Sequence, residues 1–387
     1  HHRKQLLPFA YTRPIAAFRC GILTLAEKWE RRIPESSVSY LTADYLAEKF
    51  PVRHAEDNYY LNGGLLPNRE LVEQLYFLED GEALVDAEND VLLALRSKGK
   101  YQNSNLAAVD FTKKKFHGSY QLIANLWDIY AQNHQAIEED YQLIAEGRES
   151  QELDENSIHI GDQLFIEEGA KINAATFNST NGPIYIGKNA EVMEGVVVRG
   201  GLALCEGAVM KLGAKIYGAT TIGPFSKVGG EVNNSVIFGY SNKGHDGFLG
   251  NSVLGEWCNL GADTNVSNLK NNYASIKLWN YSEKRFKDSG KQFCGMMMGD
   301  HSKSGINTMF NTATVVGVCA NIYGGGFPRN FIPSFSWGGA EKWVVYRFDK
   351  AMEVAEKVME RRSKKLEVTD REILKRIFEE SEQFRNF

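Results

Sequence analysis

Residues 186–228 read IGKNAEVMEGVVVRGGLALCEGAVMKLGAKIYGATTIGPFSKV, and every sixth residue is aliphatic: Ile186, Val192, Val198, Leu204, Met210, Ile216, Ile222 and Val228. A helix repeats every 3.6 residues and a strand every two, so this period fits neither an amphipathic helix nor a sandwich strand. Short strands joined by tight turns satisfy it, with each inward aliphatic stacked on its counterpart one coil later. Upstream, Ile160, Ile166 and Ile172 anticipate the register. Downstream it resumes at Phe248, Leu254, Leu260 and Val266, and again at Met298, Ser304, Phe310, Val316 and Ile322. Glycine follows several of these positions, among them Gly187, Gly223 and Gly261, and permits turn dihedrals that a side chain opposes. The period predicts a parallel β-solenoid over residues 157–330.

Two stretches break the repeat. Gly229 to Gly247 slips its phase. Asn268 to Gln292 carries Tyr273, Trp279, Tyr281 and several Lys and Arg, too long for a turn, and predicts a loop or hairpin projecting from the solenoid. Residues 1–150 differ in character: helical-period segments such as Ile22–Arg32 and Tyr120–Ala145 alternate with strand-like runs including Val91–Leu95, which predicts an α/β domain. Residues 340–387 are charged and helically periodic, with Thr369 and Glu372 forming a capping-box signature before Ile373, Leu374 and Ile377. A C-terminal helical tail is expected there, after a junction marked by Gly324–Gly326, Pro328 and Pro333.

The length of 387 residues exceeds what one hydrophobic core usually organises. Lys and Arg number 44 against 49 Asp and Glu, a net charge of −5; duplex nucleic-acid binding normally requires a basic excess, so no nucleic-acid partner is expected. The five cysteines, Cys20, Cys205, Cys258, Cys294 and Cys319, lie far apart with no zinc spacing and read as buried or free thiols of a reducing cytosol. No apolar run approaches the ~18 residues of a membrane span, so a cytoplasmic protein without a membrane partner is expected. Lys113, Lys114 and Lys115 read as a solvated face, His54, His117, His134 and His159 as surface residues, and His301 as a coil corner.

Through the second half run Glu231-Val-Asn233, then Lys243-Gly-His245-Asp-Gly-Phe248-Leu-Gly250, then Asn259-Leu-Gly-Ala-Asp-Thr264 and Ser267-Asn268. Their order and spacing resemble the acetyltransferase half of the GlmU-like bifunctional family, and the hexapeptide period is similar to its left-handed parallel β-helix. The resemblance implies that His245 is the general base, a task suited to a near-neutral imidazole. It implies that Glu231 lies beside the sugar, that Asn259 and Asn268 are polar substrate contacts, and that Ala262, Ser304 and Tyr323 lie along the acetyl-CoA side. Four family residues differ: a phosphate-binding Arg is Gly229, a phosphate-binding Lys is Asn233, and two substrate-contacting Tyr are Phe248 and Leu269. Asn233 and Phe248 remain substrate-contact positions, with Lys227, Lys243, Lys270 and Lys277 the nearest cations to replace the phosphate clamp.

In the first half, Leu6-Leu-Pro8-Phe-Ala-Tyr-Thr12-Arg-Pro14 resembles the stretch after the first strand of sugar-phosphate nucleotidyltransferases, with Arg3-Lys4-Gln5 in place of the glycine-rich phosphate loop. Arg3, Lys4 and Arg13 are the nucleotide-binding candidates. Tyr60-Leu-Asn62-Gly-Gly64 resembles the strand end whose Asp holds Mg²⁺, with Gly64 in place of that Asp. Glu27-Lys28-Trp29-Glu30 and Trp127-Asp128-Ile-Tyr130, with Asn133, Ile137 and Asp140, are similar to a divergent sugar nucleotidyltransferase branch of the family.

The resemblance implies an enzyme of UDP-N-acetylglucosamine (nucleotide-sugar) biosynthesis: a homotrimeric transferase joining acetyl-CoA-dependent N-acetylation in the solenoid to Mg²⁺-dependent nucleotidyl transfer in the first domain. Its partners would be sugar phosphates and nucleoside triphosphates. Three alternatives stand beside it: a sugar-1-phosphate nucleotidyltransferase whose solenoid serves trimerisation, an N-acyltransferase for a nucleotide-linked amino sugar, and a non-enzymatic solenoid scaffold.

Overall fold

The computed structural model describes residues 3–101, 106 and 110–387. They form two compact units. Among these described residues, the smaller takes Thr12–Phe18 and those between Leu23 and Ala124, and the larger takes 3–11, Arg19–Ile22 and Asn125–Phe387.

In the smaller unit, helix α1 (Leu25–Arg32) starts where Thr24 and Glu27 cap each other: Glu27 N–H donates to Thr24 Oγ1 at 3.2 Å, and Thr24 N–H to Glu27 Oε2 at 2.7 Å. Its Trp29 is buried and donates Nε1–H to the Leu65 carbonyl at 2.8 Å. Helix α2 (Arg69–Tyr76) is capped by Asn68, which accepts from Leu71 N–H. A four-stranded sheet runs in the order Asn58–Leu61, Leu92–Ser97, Glu82–Asp86, Thr112–Phe116, and Leu84, Leu93 and Phe116 pack with Trp29 and Leu71 into one core. Thr112–Phe116 is an edge strand whose exposed lysines pair with Asp90 and Glu82, a charged edge that resists pairing with another chain. This unit is α/β, as the alternation of segments predicts.

After the smaller unit the larger one resumes with α3 (Asp128–Ala131) and α4 (Asn133–Ala145), so the expected Tyr120–Ala145 helix is a short strand, Gln121–Leu122, followed by two helices. Buried Asn133 and Asp140 clip residues 19–22 to the solenoid: Gly21 N–H donates to Asn133 Oδ1 at 2.7 Å, Ile22 N–H to Asp140 Oδ2 at 2.8 Å, and Asn133 Nδ2 to the Ala219 carbonyl at 2.9 Å. Phe9 packs on Phe238, with ring centroids 5.3 Å apart.

From Ile158 the chain winds a parallel β-solenoid with faces of six, nine and ten strands. Val192 pairs with Met210 and Met210 with Val228, so each coil takes 18 residues, or three hexapeptides. All eight aliphatics of the quoted repeat are buried in one continuous core, each contributing roughly 1.5–3 kcal/mol of burial. Through the slip, Ile216 pairs with Val232 and Ile222 with Ile237, so the coil loses two or three residues.

Two inward assignments change. Ile160 is 46% exposed, because seven residues rather than six separate inward Ile166 from the preceding core position, which His159 takes opposite buried Phe177. His159 is therefore half-buried and lies 3.0 Å from Ser179 Oγ rather than on the surface. After the slip Leu249 takes the core position and Phe248 faces outward.

At the corner between the nine- and ten-stranded faces, Phe225, Tyr240, Trp257, His301, Cys319 and Phe335 all adopt positive φ. The first four stack ring on ring, Tyr240 and Trp257 at 4.3 Å. His301 is thus a corner residue. All five cysteines are buried, and burial pushes the Cys258, Cys294 and Cys319 thiols up to about 12.

The long insertion forms an antiparallel hairpin, Lys277–Asn280 with Arg285–Asp288, but it does not project freely. Trp279 stacks on Phe331 at 4.2 Å and Tyr281 meets Phe384 at 5.3 Å, so its aromatics fold back onto the last coil and the tail. The sheets continue to Ser336–Gly338, which Trp343–Val345 caps antiparallel. The tail forms α5 (Phe348–Glu360) and α6 (Val368–Glu380). Thr369 lies inside α6 rather than capping it; Asp370 accepts from Glu367 N–H at 3.2 Å, two residues earlier than the sequence signature. Among the described residues, no helix is long and apolar enough to cross a membrane.

Candidate functional site

The phase slip builds the site at the edge between the ten- and six-stranded faces. Here the chain leaves Asn242–Lys243, turns through residues 244–247 and enters Phe248–Gly250. One coil earlier the same edge is Gly229-Gly230, followed by Glu231–Asn233. Gly230 has φ +69°, and a Cβ there would lie 2.8 Å from the His245 carbonyl; a Cβ on Gly229 would lie 2.7 Å from the Gly244 carbonyl. The two glycines let the His245 turn rest directly on the coil beneath. An arginine at 229, as in the family, does not fit this backbone.

His245 is exposed at the turn, and no hydrogen bond holds its ring among the described residues. Its backbone is held from inside. Lys243 occupies an inward ladder position, opposite Val228, is 2% exposed, and donates Nζ–H to the His245 carbonyl. Burial pulls this lysine down to about 8, opposed by the carboxylates of Asp246 and Asp263. The N–H groups of Gly244, His245 and Asp246 donate to no acceptor among the described residues.

Beside His245, on the outer surface of the six-stranded face, Glu231 stands in register with Phe248. Tyr217 donates its hydroxyl to Glu231 Oε1 at 2.6 Å, and burial followed by that carboxylate pushes the phenol up to about 12. Asn233, two residues further along the strand, pairs with Gly250. A Cβ on Gly250 would lie 2.6 Å from both the Phe248 ring and Asn268 Nδ2, so glycine lets those side chains close over the strand. Asn268 is steadied by donating to Asn251 Oδ1 at 2.8 Å. The structure therefore brings His245, Glu231, Asn233, Phe248 and Asn268 onto one edge and its adjoining face.

The remaining candidates disperse. Asn259 lies on the outside of the ten-stranded face, in register with Asn242 and Lys303. Ala262 is in the turn above His245, where Asp263 N–H donates to the Asp246 carbonyl at 3.1 Å. Tyr323 is exposed further along the same edge, its ring 5.8 Å from that of Trp337. Ser304, expected on the cofactor side, points inward instead: it is 5% exposed and lies 2.9 Å from Thr264 Oγ1, because it fills a core position of the repeat. Sequence reasoning passed over Tyr217, although its place directly after inward Ile216 marks it as outward-facing.

Arg3 and Lys4 lie in a 3-10 turn of the larger unit, and Arg13 is buried in the smaller one. The expected Mg²⁺ position does not suit a cation. Gly64 N–H turns back to Asn62 Oδ1, and a Cβ on Gly64 would lie 2.5 Å from the Ile123 carbonyl, so no carboxylate fits there. Among the described residues, no three His, Cys, Asp or Glu side chains gather to hold a metal ion.

Residues 1–149 match the family model of sugar nucleotidyl transferases. The bifunctional sugar-1-phosphate nucleotidylyltransferase/acetyltransferase of Sulfurisphaera tokodaii is 36% identical over 95 residues, 24% of this chain and 23% of that protein. The bifunctional protein GlmU of Methanocaldococcus jannaschii is 34% identical over 87 residues, 22% of this chain and 21% of that protein. The chain thus spans under a quarter of the length of the curated relatives it matches. The crystal structure of the polySia-specific acetyltransferase NeuO aligns with 54% of this chain and 94% of its own, at 13% identity and a TM-score of 0.29. By the family model and the two curated relatives, the chain resembles the GlmU-like bifunctional nucleotidyltransferase/acetyltransferases.

Proposed function

We propose that this chain is a GlmU-like transferase whose solenoid N-acylates an amino-sugar phosphate from acetyl-CoA, with His245 as general base, in nucleotide-sugar formation. One observation carries the reading: the slip seats the His245 turn directly on the coil that bears Glu231, beside Phe248 and Asn268. The amine attacks the thioester carbonyl, a C–N bond forms, the C–S bond breaks, and CoA leaves as the thiolate. His245 takes the proton that the amine sheds. Glu231 and Asn268 orient the sugar hydroxyls, and the undonated N–H groups of the turn stand ready to stabilise the tetrahedral oxyanion. Phe248 supplies an apolar face beneath the acceptor, in place of the hydroxyl that a tyrosine would bring. The cosubstrate lies along the edge that Ala262 and Tyr323 share with His245.

The smaller unit's role in this reading is nucleotidyl transfer to the sugar 1-phosphate, supported by the family match over residues 1–149. Arg13 is the phosphate-binding candidate that lies within this unit, whereas Arg3 and Lys4 belong to the larger one; no step is assigned to Mg²⁺ at Gly64. The enzyme works as a cytoplasmic homotrimer in this account.

The test is release of free CoA from acetyl-CoA on adding glucosamine 1-phosphate, with a parallel reaction containing UTP and Mg²⁺ read for pyrophosphate. CoA release supports the solenoid assignment and pyrophosphate the first half. Silence with glucosamine 1-phosphate and with other amino-sugar phosphates sinks the acylation reading.

A further inference from the structure

Four cations gather on the ten-stranded face next to the His245 turn. Lys227 points outward, in register between Val209 and Asn242. Asn242 Oδ1 accepts from Arg362 Nη2 at 3.1 Å, which brings Arg362 and neighbouring Arg361, in the turn after α5, over the same column. Lys211 enters from the coil beneath, its Cβ 3.3 Å from where a Cβ on Gly229 would stand. Lys227 and Arg362 are half-buried. Burial, then Arg362, Lys211 and Arg361, hold Lys227 below the usual lysine range, and Arg362 is lowered by burial and then by Arg361. The carboxylate that acts on Lys227 is Glu191, two strands away along the column, which is about 10 Å. None of the four cations forms an ion pair among the described residues.

Clustered like charges without a counterion raise the energy of the free protein and lower it when an anion arrives. We infer that Lys211, Lys227 and Arg362 form a binding site for a phosphate group. The site deepens the acyl-transfer reading and rests on it for the identity of the ligand, since both an amino-sugar phosphate and CoA carry phosphate. Position 229 is confined to glycine by the Gly244 carbonyl, and Asn233 is neutral, so neither supplies a charge at this edge. Of the cations nearest in sequence, Lys243 turns inward, Lys270 donates to the Ser275 carbonyl, and Lys277 lies on the hairpin. Lys227 stays at this face, joined by Lys211 from the preceding coil and by a guanidinium from the tail. Arginine's planar fork binds phosphate through two N–H groups, and Arg362 has donors left beyond the one given to Asn242.

The test is equilibrium binding to the full chain, read by calorimetry without turnover, using glucosamine 1-phosphate, CoA, dephospho-CoA and inorganic phosphate as probes. Wild type binds a phosphate-bearing probe, and Lys227→Met with Arg362→Met weakens it about tenfold or more. Lys227→Arg keeps the affinity, and an unchanged urea midpoint confirms that the double variant is folded. Loss confined to glucosamine 1-phosphate assigns the site to the acceptor; loss for CoA but not dephospho-CoA assigns it to the cosubstrate. Equal affinities in wild type and double variant, or no binding of any phosphate-bearing probe to wild type, overturn the site. Intact phosphate binding with no CoA release removes the acyl-transfer reading and leaves the site standing.

Discussion

At the residue scale, the chemistry turns on what glycine permits and what one buried lysine holds. Gly229 lies against the Gly244 carbonyl, and Gly229→Arg should lower stability by about 2 kcal/mol or more, since the turn above must lift. A urea melt checks this; a fully stable variant would mean that the His245 turn is not seated on the coil beneath. Lys243 gives a pH signature of known sign. Its folded pKa, about 8, lies below the usual lysine value of 10.5, so between those limits the unfolded chain binds more protons and stability rises with pH. The stability of wild type relative to Lys243→Met should therefore climb from pH 8 to pH 10, and a flat difference would contradict the buried ammonium. Neither residue announced itself fully. The repeat marks position 243 as inward only once the slip's missing residues are counted, and the clash at 229 depends on a carbonyl fifteen residues away.

At the element scale, the coils were legible because burial enforces a period: each inward aliphatic must meet its neighbour 18 residues on, so the hexapeptide survives in the sequence. Where the coil length changes, the signal shifts by a residue, which is why Phe248 reads as core and Leu249 fills it. Ser304 fits the repeat and a cofactor role equally well on paper, and its Thr264 partner decides between them. The tail's part was illegible, because Arg362 reaches Asn242 across 120 positions of sequence. The clip of residues 19–22 sits between these cases: Asn133 and Asp140 stood out as motif residues, and the structure gives them a scaffold task. Gly21 has φ +85°, and a Cβ there would lie 2.5 Å from Asp140 Oδ2. Gly21→Ala should cost about 2–4 kcal/mol through strain and the broken clip, read as a lowered denaturation midpoint. A loss below about 0.5 kcal/mol, the ordinary range of surface changes, would mean that the clip carries little.

At the scale of the whole molecule, the candidate edge carries exposed apolar residues that a lone solenoid leaves in water: Leu212 and Ile306 along the edge, Val197 on the six-stranded face, and Met309 on the separate strand pair where it meets Asn265. Burying them against a second copy fits the proposed trimer. Light scattering of the full chain should give three times the chain mass, and Ile306→Asp should shift it toward monomer; a monomeric wild type contradicts the trimer. The central claim is acyl transfer at His245. Its most direct measurement is kcat for CoA release by wild type and His245→Ala at saturating acetyl-CoA and amino-sugar phosphate. The account predicts a loss of about 10²–10⁴-fold with the fold and ligand binding intact, and turnover by His245→Ala equal to wild type would contradict it.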